Sequence, residues 1–292
     1  MKFLNDMKLG SRPCPWYERA KASTRKRQAE WLKRRVVEAY FQQHYDMFDQ
    51  TVAAFNLPPP PSKKRRLDSL MQEFYLRPNA GLQSEFHGRR HDHGLTECPY
   101  CGNPLIPDTL DHFLPKEDWP EYAILANNLV PQCRSCAPIK GRRYYCSTHR
   151  RAMFLHPMYS AVLSSVQFKI NVSLRAGRPN FEIIFGAART TAPVDVIRIE
   201  QHLREMKVMG RMLEFCVRHW SHWRHKVKTL GIDIEALFRL ELGQTSSGEY
   251  GPDWATAFKK GVLRDADSLA ALNTKPPTPT APIEELIELN VR

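Results

Sequence analysis

Apolar positions recur at helical steps over residues 15–56, where Val37, Tyr40, Phe41, His44, Tyr45, Phe48, Val52 and Phe55 follow i, i+3, i+4 spacing. Pro15 suits a first helical turn, so the pattern predicts one long helix over 15–56. Four consecutive prolines in Leu57-Pro58-Pro59-Pro60-Pro61-Ser62 predict a stiff spacer, followed by a short helix through about Tyr75. Periodicity then fades over 77–97, which is expected as a loop carrying His87, His91 and His93. Residues 166–173 and 180–185 alternate apolar and polar around Arg175-Ala176-Gly177-Arg178-Pro179, a β-hairpin pattern. From 195 to about 230 the helical period returns through Ile199, Leu203, Met206, Met209, Met212, Leu213, Cys216, Val217 and Trp220. Within the run His219-Trp220-Ser221-His222-Trp223-Arg224-His225, aromatics at i, i+3 predict core packing. Two further helical stretches are expected near 234–242 and 254–272, and NTKPPTPTAP over 274–283 has a flexible, low-complexity composition. No internal repeat is present.

Charge adds a partner class to this outline. The 292 residues carry 43 Lys and Arg against 31 Asp and Glu, a formal charge of +12 that favours a polyanion. Residues 1–97 hold 18 of the bases against 11 acids, or +7 of the +12. Arg25, Lys26, Arg27, Arg34 and Arg35 crowd the N-terminal part, where they form either a solvated face or a phosphate-contacting arm. No apolar run reaches the roughly 18 residues of a membrane span. The first ten residues, MKFLNDMKLG, carry charge where a signal peptide needs an apolar core, so a cytoplasmic location is expected.

Seven cysteines give the first chemistry. Cys98-Pro99-Tyr100-Cys101 and Cys133-Arg134-Ser135-Cys136 are two C-x-x-C pairs, each able to bite two corners of a tetrahedral zinc ion. A redox dithiol would come singly within a βαβ pattern, which is absent. Gly102 suits the turn of a zinc knuckle, where φ can be positive. Four thiolates fill such a site, so the nearby histidines are expected as surface residues. Cys14, Cys146 and Cys216 are expected as buried thiols. The 31 residues between the pairs exceed the roughly 15–20 of a simple ribbon, so a unit is inserted there.

That insert holds Leu110-Asp111-His112-Phe113-Leu114-Pro115-Lys116 and then Asn127-Asn128-Leu129-Val130. Adjacent strand residues face opposite ways, so a kink or bulge is needed to bring Asp111 and His112 to one centre. Such a pair can divide labour, with Asp holding a hard cation and neutral His taking a proton from water. Lys140, one turn beyond Cys136, is placed to steady a phosphate, and Arg142 and Arg143 extend that basic stretch.

The run CPYCG…LDHFLP…NNLVPQCRSC-x-x-x-KG, about residues 98–141, resembles the zinc-containing HNH (ββα-metal) endonucleases. The resemblance implies two strands and a helix around one catalytic Mg²⁺, replaceable by Mn²⁺, with a Cys₄ zinc knuckle tying the ends. It implies His112 as general base, Asp111 as Mg²⁺ ligand and Asn128 as the brace of the loop carrying the base. The family places Asn or His directly after the last zinc cysteine as second metal ligand, and this chain has Ala137. Three readings follow: a naturally impaired protein, a substitute ligand in His149 or His156, or a deliberately inactivated chain. The intact remainder of the motif favours the last. The order of the flanking elements resembles nuclease subunits of bacterial antiphage systems, which work beside an ATPase or other sensor.

The expectation is therefore an α+β protein. A basic helical arm with its proline linker spans 1–97, a nuclease core with zinc knuckle 98–160, a hairpin and helical region 161–273, and a flexible tail 274–292. The expected activity is metal-dependent hydrolysis of DNA phosphodiester bonds, weak in this Ala137 form. The alternative is a catalytically inactive, zinc-stabilised nucleic-acid-binding module. A third class, a protein–protein adaptor, leaves the Asp-His, Asn and Lys constellation unexplained.

Overall fold

The computed structural model describes residues 1–10, 14–63, 66–243 and 248–274, with the side chains of 66 and 67 left out. Residues 64 and 65 of the Lys63–Arg66 run and the expected tail from 275 onward lie outside the described residues. The chain is α+β, with eleven α-helices, four short 3-10 helices and three two-stranded antiparallel sheets among the described residues.

The N-terminal apolar period is correct, but the single helix it predicts is broken twice, giving α1 (Pro15–Lys21), α2 (Lys26–Leu32) and α3 (Arg35–Ala53). Ser23 Oγ accepts from the Arg25 N–H, a local bond that competes with helix continuation. Arg34 then adopts an extended conformation, ψ 125°. The breaks let the three helices fold on one another, with the Tyr17 hydroxyl donating to the Leu32 carbonyl. Trp16, Tyr17, Leu32, Phe41, Tyr45 and Phe48 are all buried there. Helix α4 (Arg66–Leu76) follows. The proline segment does not stand off as a spacer: Trp119 Nε1 donates to the Pro60 carbonyl, and Ser62 Oγ bonds Glu121.

Residues 77–97 are not a loop. Helix α5 (Ala80–His91) occupies most of the stretch, capped by Asn79, whose Oδ1 accepts from the Leu82 N–H at 2.9 Å. Leu82 and Phe86, an i, i+4 pair, are its buried face, and His87 and His91 are exposed. His93 lies beyond the helix, its Nε2 donating to the Pro107 carbonyl.

Strands β1 (Thr109–His112) and β2 (Leu129–Gln132) pair antiparallel, Asp111 opposite Val130 and His112 opposite Leu129. Helix α6 (Ala137–Lys140) starts directly after Cys136. A small pair, β3 (Tyr145–Cys146) with β4 (Arg151–Ala152), precedes the expected hairpin of β5 (Gln167–Arg175) and β6 (Arg178–Gly186). Ala176 and Gly177 both take positive φ (51° and 72°), the conformation of a tight two-residue hairpin turn. Cys146 is only half-buried, whereas Cys14 and Cys216 are buried as expected.

The helical stretch over 195–230 divides into α7 (Pro193–Glu205) and α8 (Val208–Leu230), because Lys207 turns left-handed at φ 51°. Trp220 is buried with its ring 6.2 Å from that of Phe181, so the aromatic run serves the core at that position. Helix α9 (Ile234–Leu242) is as expected, but 254–272 is two helices, α10 (Trp254–Arg264) and α11 (Ala266–Asn273). Asp265 divides them by accepting from the Ser268 N–H as the cap of α11.

These elements converge on the turn after Cys98. The Gly102 N–H donates to the Cys98 carbonyl at 2.8 Å and its φ is 72°. A Cβ there would lie 2.8 Å from the Phe168 ring of β5. Both the left-handed backbone and the close ring require glycine. Gly102→Ala is expected to lower stability by about 1–3 kcal/mol through αL strain and overpacking, read as a fall in urea midpoint.

Candidate metal centre and Asp-His site

Cys98, Cys101, Cys133 and Cys136 bring their sulfurs within 4.8 Å of one another, all buried. The Cys98–Cys136 and Cys101–Cys133 sulfurs are 3.9 and 4.0 Å apart. These separations exclude disulfides, whose S–S length is about 2.0 Å. They match the edge of roughly 3.8 Å expected for a tetrahedron of thiolates about 2.3 Å from zinc. The four cysteines can therefore hold a structural metal such as zinc.

One contributor to this centre has no sequence signal. Arg211 of α8 donates Nη1 to Cys136 Sγ at 3.3 Å and Nη2 to Cys101 and Cys133 at 3.5 and 3.7 Å. A Zn(Cys)₄ group carries two net negative charges, so a guanidinium spread over three sulfurs offsets the charge that burial would penalise. Trp254 Nε1 donates to the Cys101 carbonyl, and His202 Nε2 donates to the Tyr100 carbonyl at 2.6 Å. Helices α7, α8 and α10 thus all hold the same turn.

The second C-x-x-C pair joins this centre to the Asp-His strand, since β2 runs straight into Cys133. Asp111 and His112 end β1, whose register is continuous, so the expected kink or bulge is absent. As plain strand alternation requires, their side chains enter different surroundings. Asp111 is buried, accepting from the Tyr100 hydroxyl at 2.7 Å on Oδ2 and pairing with Lys140 Nζ at 3.1 Å on Oδ1. Burial pushes its carboxyl up, opposed by the Lys140 charge; burial pushes the Lys140 ammonium down, opposed by Asp111.

Lys140 is 0% exposed and also donates to the His112 carbonyl at 2.9 Å. It is not available to steady a phosphate; it ties α6 to β1. Sequence spacing located the lysine but could not show that its ammonium turns inward.

His112 lies against Tyr75 of α4, ring edge to ring at 4.3 Å, and its Nε2 donates to the Ala123 carbonyl at 2.9 Å. That bond leaves Nδ1 as the lone-pair nitrogen. Burial holds His112 down to about 3, so the ring is neutral near pH 7. Asn128 is wholly buried and staples the segment after β1. Its Oδ1 accepts from the Leu114 N–H at 2.7 Å, and its Nδ2 donates to the Leu114 and Tyr122 carbonyls.

Ala137 is the first residue of α6 and offers no donor atom. Of its two candidate substitutes, His156 has both ring nitrogens engaged, by the Asn127 carbonyl and the Met158 N–H. His149 is exposed in the turn between β3 and β4. Among the described residues, Asp111 joins no group of three His, Cys, Asp or Glu side chains close enough to share a cation.

Of the basic residues, Lys26, Arg27, Arg34 and Arg35 are exposed and Arg25 is half-buried. Arg142 is exposed and paired with Asp118 at 2.7 Å. Arg143 is committed to structure, bonding the Glu205 carboxylate and the Ile139 and Glu205 carbonyls.

No family model matches the chain. No solved structure matches it either. Over 40 residues it is 45% identical to Protein ea31 of Escherichia phage lambda, a stretch that is 14% of this chain and 14% of that protein's length. No helix among the described residues is long and apolar enough to cross a membrane.

Elemental analysis of protein purified without chelator is expected to find about one zinc per chain. Cys98→Ser is expected to lose the metal and the structure around it. Arg211→Met should keep the fold at saturating zinc but release the metal to a chelator roughly 10–100-fold more readily; an unchanged chelator titration would show that the guanidinium adds nothing.

A pH dependence follows from two further buried histidines. Burial lowers His156 to about 3 and His202 to about 4, so both stay neutral in the fold while they titrate near 6.5 when unfolded. The unfolded chain then binds more protons, and stability falls as pH drops below about 6.5. Each histidine adds up to about 1.4 kcal/mol per pH unit to that slope. Urea unfolding from pH 7 to 5 should therefore be steeper in the native protein than in His156→Gln by about one proton.

Proposed function

We propose that the chain is a metal-dependent endonuclease of the HNH type, hydrolysing DNA phosphodiester bonds from a core within residues 98–141. The observation that carries this reading is one continuous arrangement. Asp111 and His112 end a two-stranded antiparallel pair whose second strand leads through Cys133 and Cys136 into α6, beside a metal-competent Cys₄ cluster. Strand, strand and helix follow in the order that the ββα-metal resemblance implies.

In this reading His112 is the base. It is neutral near pH 7, the form that can take a proton, and its Nε2–H bond to Ala123 aims the Nδ1 lone pair away from that carbonyl. Asn128 fixes the segment that follows. Asp111 would hold Mg²⁺ or Mn²⁺, which when bound supplies positive charge to the scissile phosphate and the leaving oxygen. Both Asp111 oxygens already have protein partners, and Ala137 gives the cation no second ligand. The Ala137 form is accordingly a weak nuclease. Exposed Lys26, Arg27, Arg34 and Arg35 supply phosphate contacts, whose worth falls with salt. A partner ATPase or sensor protein in phage defence belongs to the same proposal, on the order of elements alone.

The second reading, a zinc-stabilised nucleic-acid-binding module without catalysis, is favoured by that same engagement of Asp111 by Lys140 and Tyr100. A plasmid-nicking assay with Mg²⁺ separates the two. The chain as it stands should bind DNA and nick it weakly or not at all. Ala137→Asn should raise nicking by roughly a hundredfold, the scale of correcting a misplaced reacting group. Adding His112→Ala should remove the gain. If Ala137→Asn stays inert with Mg²⁺ and Mn²⁺ on supercoiled, linear and single-stranded DNA, the binding module is the better reading.

A further inference from the structure

From Tyr122 to Phe181 the chain runs for 60 residues without an Asp or Glu while carrying nine Lys or Arg. Five of the nine are paired with acids from outside the stretch: Arg134 with Asp108, Lys140 with Asp111, Arg142 with Asp118, Arg143 with Glu205 and Lys169 with Glu249. The other four, Arg150, Arg151, Arg175 and Arg178, have no ion pair among the described residues and stand at two hairpin turns. One of these turns, between β3 and β4, adjoins a cleft of about 430 Å³ lined by Asp118, Trp119, residues 142–147 and Met153. Trp119 and Tyr145 are only half-buried there. Tyr144 is buried, its ring edge-on to Trp119 at 6.1 Å and to Phe113, the residue after His112, at 5.3 Å. Arg150 holds a left-handed backbone, φ 47°, a region costly for any side chain but Asn or Asp. The turn therefore keeps an arginine where the backbone disfavours one, a mark of function more than of folding.

We infer that this cleft takes one unpaired nucleotide of a DNA strand, its base against Trp119 and Tyr145 and its backbone phosphates on Arg150 and Arg151. The inference rests on the proposed nuclease reading for the strand's being DNA. Aromatic rings beside guanidinium groups in a concave site are how single strands are held: bases stack on the rings and cations follow the backbone. Such stacking tolerates any base, which agrees with the lack of a groove-reading motif in the sequence. The volume suits a small unit and not a duplex, since small-ligand sites run from about 300 to 1,000 Å³. Asp118 is the single acid among the lining residues, and Arg142 pairs with it. The uncompensated charge beside the cleft is thus all positive, the sign a phosphate backbone needs.

Binding of labelled DNA to the full-length protein, without added Mg²⁺, tests this on a thymidine oligonucleotide of about 16 nucleotides and on a duplex of equal length. Trp119→Leu should weaken single-strand binding roughly tenfold and leave duplex binding unchanged. Trp119→Phe should keep most of the affinity, because it retains a ring while losing the same Nε1 bond to Pro60. Arg150→Asn, which tolerates the left-handed backbone, should reduce the single-strand slope of log affinity against log salt by about 0.7. Unchanged binding in Trp119→Leu, an equal loss on duplex, or an equal loss in Trp119→Phe would overturn the inference. An unchanged salt slope in Arg150→Asn would overturn the part given to the turn. Nicking by Ala137→Asn with a flat Trp119 series would sink this inference alone. The expected Trp119 series with an inert Ala137→Asn would instead sink the nuclease reading and leave a single-strand binding site.

Discussion

Four buried sulfurs held within one small volume are the constraint on which the rest of the molecule depends. Thiolates gathered in a low-dielectric interior repel one another, and only a cation at their centre with further positive charge nearby makes that arrangement favourable. A metal such as zinc, which the four cysteines could hold, would answer the first need, and Arg211 answers the second from α8. Because Arg211 comes from the C-terminal helices and the cysteines from either end of the β1–β2 unit, the charge balance of the centre is also a tertiary clamp. Trp254 and His202 reinforce it through the carbonyls of Cys101 and Tyr100. The hydrophobic core accordingly runs from the first helices to Leu272 through this turn.

The same clamp fixes the strand ends that carry Asp111 and His112. Strand β2 is anchored at Cys133, β1 pairs with β2 in unbroken register, and so the ends of both strands are held relative to α6. Unbroken register separates Asp111 from His112 by orientation, while the Lys140 ammonium reaches both the Asp111 carboxylate and the His112 carbonyl. The two halves of the motif are thus linked through the Lys140 ammonium of α6. The hydroxyl of Tyr100, in the middle of the first C-x-x-C, donates to Asp111, so a hydrogen bond joins the Cys₄ cluster's own loop to the carboxylate.

What the chain reveals in sequence follows from how far each signal must travel. Cysteine spacing is local, and the two pairs were legible before any fold was known. Alternation around Arg175–Pro179 was legible for the same reason, since a hairpin is closed by its own turn. Helix existence survives where helix limits do not: Ser23 and Asp265 break helices by single side-chain bonds, and Arg34 and Lys207 by single backbone turns, all leaving the apolar period intact. Helix α5 was missed although Asn79 and the Leu82/Phe86 pair announce it, because only two apolar positions mark its buried face. Arg211 lies 75 residues beyond Cys136, and nothing in its own neighbourhood distinguishes it from any basic residue of an exposed helix face. The inward turn of Lys140 was equally hidden, since spacing gives a side chain's position and not its partner.

Position 137 matters because of what a buried carboxylate requires. Asp111 sits where water does not screen it, so it must be protonated or face a cation. In this chain the cation is the Lys140 ammonium, supported by the Tyr100 hydroxyl. An ammonium is a compact charge that donates hydrogen bonds but cannot gather phosphate oxygens and water into one shell, whereas a divalent ion does so through its own coordination. On the proposed nuclease reading, substituting a metal for the ammonium at Asp111 needs a compensating ligand that releases the carboxylate from Lys140, and the resemblance implies the first residue of α6 as the position to supply it. Alanine there leaves the ammonium unopposed. On the nuclease reading proposed above, the balance between Lys140 and a divalent ion at Asp111 would separate a folded binding module from a nuclease, and the side chain at 137 is where that reading is tested.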